Sequence, residues 1–365
     1  MGIFLITQLS SCQKKMENFK TEKIEWEGQS TAPEDYAVVI MSPNVFYSNN
    51  GKYISLIPNL EYLHSGWSGA AGGWESAPKP MPDHLSIAWY SHTENKIYKG
   101  EFEMPQEKLY NLFKEGYMIY GQRPDGTDGK EDLHKETYNS LTVGIAPKGM
   151  VVVWAAGQNR IEIGRYQAEK LSRKEANELY NSQSSGIDMP KTIVKAQLDR
   201  MTPKVQEEIK HNKISSKQWD DYRLRYHWKV EFNKQLVIYD YYIRYFNSEE
   251  DGYLKPEITQ EEFNKNILES TSKVVPNKFG MYVTAQNGKN YLIRLETLDE
   301  QETIEGFKSM NEASPDQPIT MFINVDDDFK KFTVTLKNDK KEILLQKATL
   351  KLFTLDKTND RKNEK

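Results

Sequence analysis

A chain of 365 residues, 38% of them hydrophobic, is long enough for about two domains and apolar enough for a sizeable core, which excludes a disordered protein. The formal net charge of -4 arises from interspersed acids and bases, so no overall field draws the chain to a nucleic acid and no nucleic-acid partner is expected. No apolar run reaches the roughly 18 residues that a membrane-crossing helix needs.

The first element is a short apolar stretch that runs into Leu9-Ser10-Ser11-Cys12 and is followed at once by polar Gln13-Lys14-Lys15. This is the pattern of a lipobox, with a signal peptide over residues 1–11 and cleavage before Cys12. The Cys12 thiol would carry a diacylglycerol and the freed amine a further chain, and two or more chains anchor a protein stably where one does not. Cys12 is also the single cysteine, so no intramolecular disulfide is expected. Gln13 is not the aspartate associated with inner-membrane retention, and Lys14-Lys15 is not an acidic surface-export run. The expected location is therefore the outer membrane, facing the periplasm.

Residues 12–23 read as a polar tether, and structure is expected from about Trp26. Tyr36 to Ile40 and Tyr53 to Ile57 are short apolar clusters bounded by Pro and Gly, as strands are. Pro105 to Gly116 spaces Leu109, Leu112 and Phe113 as one helix face. Met150 to Ala156 is almost wholly apolar, the pattern of a central strand, and Arg160 to Tyr166 returns beside it. Helices are expected over about 167–181 and from Thr202-Pro203 to His211, with Thr202 as cap and Pro203 in the first turn.

Strict alternation over Tyr222 to Phe246 predicts two strands, and a two-residue turn at Asn233-Lys234 would pair them as a hairpin. That register sets Trp228 opposite Tyr239 on one face. On the other it sets His227 opposite Asp240 and Arg223 opposite Arg244. Beyond a charged link, a helix is expected at 259–270. Asn287-Gly288 between Phe279–Ala285 and Tyr291–Leu295 then signals a hairpin whose two turn positions both need positive φ, and Phe332–Leu336 and Ala348–Leu355 add strands. The fold class is α+β and β-rich, with mostly antiparallel, sandwich-like sheets and a few short helices. The expected division is a first domain over 24–250, a second over 255–356 and a disordered tail over 357–365.

Little catalytic chemistry is visible. The Gly-rich loop Ser65 to Trp74 lacks the second glycine of a nucleophile elbow, and Pro78, Pro80 and Pro82 stand where a helix would begin. It is either a surface loop with Trp67 or Trp74 folded inward, or a recognition loop using Trp67 and Trp74 as anchors. Asp125, Asp128, Glu131 and Asp132 could gather oxygen ligands for calcium but do not have EF-hand spacing and read as a solvated turn, and Asp326-Asp327-Asp328 reads as a loop or helix cap. The six histidines lack zinc spacing, so no metal and no cofactor are expected. His227 and Asp240 would form a structural pair that strengthens on protonation. Arg223, Arg225, Lys229 and Arg244 would form a basic stripe, either a solvated or internally paired face or a docking surface for an acidic protein partner or lipid head groups.

Several ordered segments resemble the bacterial lipoproteins grouped as domain of unknown function 2931. They are Trp26 with Ala32-Pro33 and Tyr36, Gly66-Trp67, Ile97-Tyr98-Lys99-Gly100, Gly149 to Trp154, Tyr166-Gln167-Ala168, and Trp219 through Tyr226-His227-Trp228. The resemblance implies an exported lipoprotein without assigned activity. Some relatives accompany type VI secretion lipase effectors, which implies immunity proteins. The leading expectation is a membrane-anchored, non-enzymatic protein-binding module, readable as an immunity factor against a periplasm-acting toxin. A glycan- or envelope-polymer-binding accessory using Trp67 and Trp74 is the alternative. Third is an enzyme whose carboxylates, such as Asp83, Glu101 and Glu103, meet in space.

Overall fold

The computed structural model describes residues 19–60, 62–73, 75–122, 131–183, 186–252, 258–327 and 331–355. The signal region, Cys12, Trp74, the loop carrying Asp125 and Asp128, Asp328 and the tail 357–365 lie outside the described residues, as does most of the tether.

Strands β1 (Ile24–Thr31), β2 (Val38–Tyr47), β3 (Tyr53–Leu56), β4 (Ala71–Gly72), β5 (Ala77–Lys79), β6 (His84–Ser91) and β7 (Lys96–Glu103) precede helix α1 (Gln106–Glu115). Next come β8 (Tyr117–Gln122), β9 (Glu131–Glu136), β10 (Ser140–Ala146), β11 (Met150–Ala156), β12 (Arg160–Gln167) and β13 (Glu169–Lys170). Helices α2 (Arg173–Gln183), α3 (Lys195–Leu198), α4 (Pro203–Lys210) and α5 (Lys217–Asp221) follow. The chain continues through β14 (Arg225–Phe232), β15 (Leu236–Tyr245), β16 (Glu250–Asp251), α6 (Gln260–Leu268), β17 (Thr271–Val274), β18 (Pro276–Ala285) and β19 (Asn290–Thr297). It ends with α7 (Glu300–Ala313), β20 (Ile319–Val325), β21 (Phe332–Lys337), β22 (Glu342–Leu344) and β23 (Thr349–Leu355). Most pairings are antiparallel, with parallel neighbours at β1/β10 and β14/β20. The protein is thus β-rich α+β with mostly antiparallel sheets, as the sequence patterning indicates.

Contacts divide the described chain into a unit of residues 19–115 and 137–216 and a second of residues 116–136 and 217–355. The sequence pattern suggests a division at 250–255; the structure puts it at 216/217 and assigns the β8–β9 hairpin to the second unit.

The first unit has one sheet run in the order β12-β11-β10-β1-β4, with β5 also beside β1, and another in the order β13-β7-β6-β2-β3. Every residue of β10 and β11 is buried, which is why Met150 to Ala156 carries no polar alternation. Trp26 of β1 meets Phe46 of β2 edge-on at 5.5 Å, so the two sheets share this core. α1 buries Leu109 and Phe113 as its spacing requires. The helix expected from 167 begins only at Arg173, because Glu169 and Lys170 pair with Lys99 and Tyr98 of β7. Thr202 has the extended backbone of an N-cap before Pro203, but its side chain makes no capping hydrogen bond.

In the second unit, one sheet run has the order β23-β19-β18-β15-β16 and a second sheet the order β17-β14-β20-β21-β22. The hairpin expected over Tyr222 to Phe246 does not form. β14 pairs with β17 and β20, whereas β15 pairs with β16 and β18. The reason lies at the expected turn. The Asn233 side chain donates to the Val325 carbonyl at 2.9 Å and accepts from its N–H at 2.8 Å, continuing the β14–β20 ladder instead of reversing the chain. Helix α6 packs on both strands, stacking Phe263 on Tyr241 at 4.6 Å. Each strand therefore buries one face, as its alternation requires, but in different sheets. The second sheet also packs on α7, where Phe307 lies 6.0 Å from fully buried Trp228.

The Asn287-Gly288 hairpin does form, joining β18 to β19 with Thr284 opposite Asn290. Its turn differs in detail: Gly288 has φ of 74°, the Gly288 N–H donates to the Ala285 carbonyl, and the Ala285 N–H donates to that of Lys289. This is a three-residue loop with one left-handed position rather than a two-residue turn with two.

Candidate functional site

The separation of β14 from β15 dissolves the predicted basic stripe. Arg225 reaches Glu249 at 3.2 Å and donates to the Ser272 carbonyl, Lys229 pairs with Glu231 at 2.7 Å, and Arg244 pairs with Glu250 at 3.0 Å. Arg223 precedes β14, in the turn after α5, where its N–H donates to the Asp220 carbonyl. His227 stands opposite Ser272, and Asp240 stands opposite Tyr282 with a carboxylate oxygen accepting from the Tyr241 N–H. The expected His227–Asp240 pair is therefore absent, because its two strands are not neighbours.

Trp67 packs edge-on against buried Trp154 with ring centres 5.0 Å apart. Arg160 stacks over the Trp154 ring at 4.4 Å and donates to the carbonyls of Ser68 and Gly69, fastening the Gly-rich loop to the sheet. Trp67 is a loop anchor rather than an open aromatic platform. Glu101 and Glu103 are exposed two positions apart on β7, opposite Ser86 and His84, and Asp83 bonds His84 at 2.6 Å. These carboxylates sit side by side on one sheet face instead of facing each other across a cleft. No group of three or more possible metal ligands occurs among the described residues.

A different surface in the second unit has the composition of a contact site. The inner face of β15, β18, β19 and β23 buries Ile238, Tyr241, Ile243, Phe279, Met281, Val283, Ile293 and Leu295. The outer face is set by the same registers in four rows. Arg244, Lys278 and Glu296 form the first, and Tyr242, Gly280, Arg294 and Lys351 the second. Asp240, Tyr282, Leu292 and Phe353 form the third, followed by Val237, Thr284, Asn290 and Leu355. A Cβ on Gly280 would fall 2.5–2.9 Å from atoms of the Tyr242 ring, so only glycine lets that ring lie across the sheet backbone. Tyr239 sits 6.1 Å from Tyr282, and the Arg294 guanidinium lies 4.7 Å over Phe353. Val237 is 65% exposed and Phe353 38% exposed. Arg294 bonds Glu296, with Lys278 at 3.9 Å from the same carboxylate. Burial pushes the Glu296 carboxyl up, but Arg294, Lys351 and Lys278 together hold it below its ordinary value. Sequence patterning does not single out this face, because the two-residue turn that Asn287-Gly288 suggests would put Gly280 opposite Leu295, and only the observed three-residue loop sets Gly280 opposite Arg294 and Tyr282 opposite Leu292.

The family model described as protein of unknown function (DUF2931) matches residues 11–216, more than half of the chain. The chain belongs to the DUF2931 family. No curated protein and no solved structure matches it. The DUF2931 match ends where the first unit ends, so that unit carries the family's sequence pattern. The aromatic and cationic face lies beyond the match, on the part of this DUF2931 protein that the family pattern does not cover.

Proposed function

We propose that this DUF2931 protein is a membrane-tethered, non-enzymatic protein-binding module: an immunity protein that occludes a toxin acting in the periplasm, such as a type VI secretion lipase effector. The observation that carries this reading is the outer face of β15, β18, β19 and β23, where tyrosine, phenylalanine and arginine side chains share one sheet surface. Such residues give large, rigid contact area and dominate binding energy at protein interfaces. The lipobox ending at Cys12 supplies the tether, placing the module on the periplasmic side of the outer membrane. Occlusion needs surface complementarity and no reacting group.

The test is co-expression with the toxin encoded beside it. A stoichiometric complex and protection of the cell are expected, and Cys12→Ala should release the protein from membranes while leaving the purified complex intact. Absence of both complex and protection removes the reading. The glycan-binding alternative draws no support from Trp67, whose ring packs against Trp154.

A further inference from the structure

We propose that the outer face of β15, β18, β19 and β23 docks an acidic protein surface, with its aromatic rows making apolar contact and Lys278, Arg294 and Lys351 receiving the partner's carboxylates. The inference rests on the reading of the chain as a protein-binding module and adds the chemistry of the partner.

Charge and shape both point this way. Lys278, Arg294 and Lys351 are three cations around the one carboxylate of Glu296, an excess of two positive charges that a partner's acids can neutralise. Lys278, Arg294 and Lys351 lie in the first two rows and Tyr282, Leu292 and Phe353 share the third, whose one acid, Asp240, stands on β15 at the opposite edge from Lys351. Fixed charges beside an apolar patch steer encounter and set register, and the patch supplies the burial. Lys351 is exposed and Lys278 keeps 34% of its side chain accessible, so both can be reached. Tyr242 lies over Gly280 and is partly buried. A flat, partly buried tyrosine suits a protein surface, whereas membrane-binding elements drive apolar side chains into the headgroup boundary.

The experiment uses the full chain and a fluorescent peptide of alternating Glu and Tyr as probe, with phosphatidylcholine–phosphatidylglycerol vesicles in parallel. Saturable peptide binding that weakens with added salt is expected. Lys278→Glu with Lys351→Glu should weaken it about tenfold or more. Lys308→Glu with Lys340→Glu, an equal charge change at exposed positions of the same unit, should leave it unchanged. Lys351→Gln alone, at an exposed position, should show a smaller loss and covers the case in which the double reversal misfolds. No saturable peptide binding, or equal loss in both double variants, overturns the inference. Preferential binding to the vesicles that the Lys278 and Lys351 changes abolish overturns it in favour of a lipid surface. If these results are negative while the toxin complex and protection persist, the acidic-partner inference falls and the proposed function stands. Peptide binding without complex or protection does the reverse: the immunity reading falls and the acidic-partner inference stands.

Discussion

Lys273 shows how a buried charge is accommodated by backbone rather than by a counter-ion. The residue is 5% exposed, and its ammonium donates to the Trp228 carbonyl at 2.6 Å, the Asn266 carbonyl at 2.8 Å and the Thr271 hydroxyl at 2.6 Å, beneath the Trp228 ring at 4.7 Å. Asn266 and Glu269, whose carbonyls it also faces, lie at the C-terminal end of α6, where unpaired carbonyls and the helix dipole favour a cation. Desolvation nevertheless outweighs the help from Asp251 and brings the Lys273 ammonium from 10.5 to about 8. The unfolded chain therefore binds the proton more tightly than the fold does between those values. Stability linked to Lys273 is fully present above the unfolded value and is lost as pH falls through about 8. Lys273→Met abolishes this dependence and leaves carbonyls without a donor, at a cost of about 1–3 kcal/mol. Urea unfolding should show wild type gaining on Lys273→Met from about pH 8 toward pH 10.5, the range between the folded and unfolded values; parallel profiles would count against a proton equilibrium at this site.

Among the elements, the β18–β19 hairpin is the one whose turn chemistry can be isolated. Gly288 has φ of 74° and open space where a Cβ would stand, so Gly288→Ala meets only the backbone penalty of a left-handed residue, about 1–2 kcal/mol. Thermal unfolding should report a lower midpoint with unchanged near-UV dichroism; a neutral result would mean that the turn relaxes. This hairpin is legible in the sequence because its information is local: the Asn-Gly pair marks the reversal, while the alternation of Phe279, Met281 and Val283 against Tyr291, Ile293 and Leu295 selects the register and with it the three-residue loop. The β14–β15 segment has equally clear alternation yet misleads, because alternation specifies which face of a strand is buried and not which strand lies beside it. The deciding contact, Asn233 with Val325, spans 92 positions. Helix α7 escapes sequence patterning for a related reason. Its buried stripe is Thr303, Gly306, Phe307 and Met310, spaced as a helix face but half composed of residues that do not read as apolar. Gly306 is small where Leu336 approaches, a requirement set by the partner strand.

At the scale of the whole chain, the family match and the contact division agree at residue 216, but the division is not a simple cut. The β8–β9 hairpin lies within the matched span of sequence but belongs to the second unit, and its Tyr117 and Ile119 are buried at 1% and 5% exposure. No periodicity in the sequence marks such an excursion, since a hairpin has the same local pattern whichever core it joins. Its ends are adjacent, because Tyr117 pairs with Glu136 and the Thr137 hydroxyl donates to the Phe113 carbonyl. Residues 117–136 can therefore be replaced by a short Gly/Ser linker without stretching the first unit. A fragment ending at residue 216 and carrying that linker should unfold in a single cooperative urea transition, because both of its sheets and their shared Trp26–Phe46 core are retained. The same fragment with the hairpin left in place should unfold similarly but bind anilinonaphthalene sulfonate more strongly, since the hairpin that carries buried Tyr117 and Ile119 is then separated from the rest of its unit. Equal dye binding by the two fragments would place the hairpin's apolar face on the first unit, and a linker fragment without a cooperative transition would mean that the DUF2931 portion requires the second unit to fold.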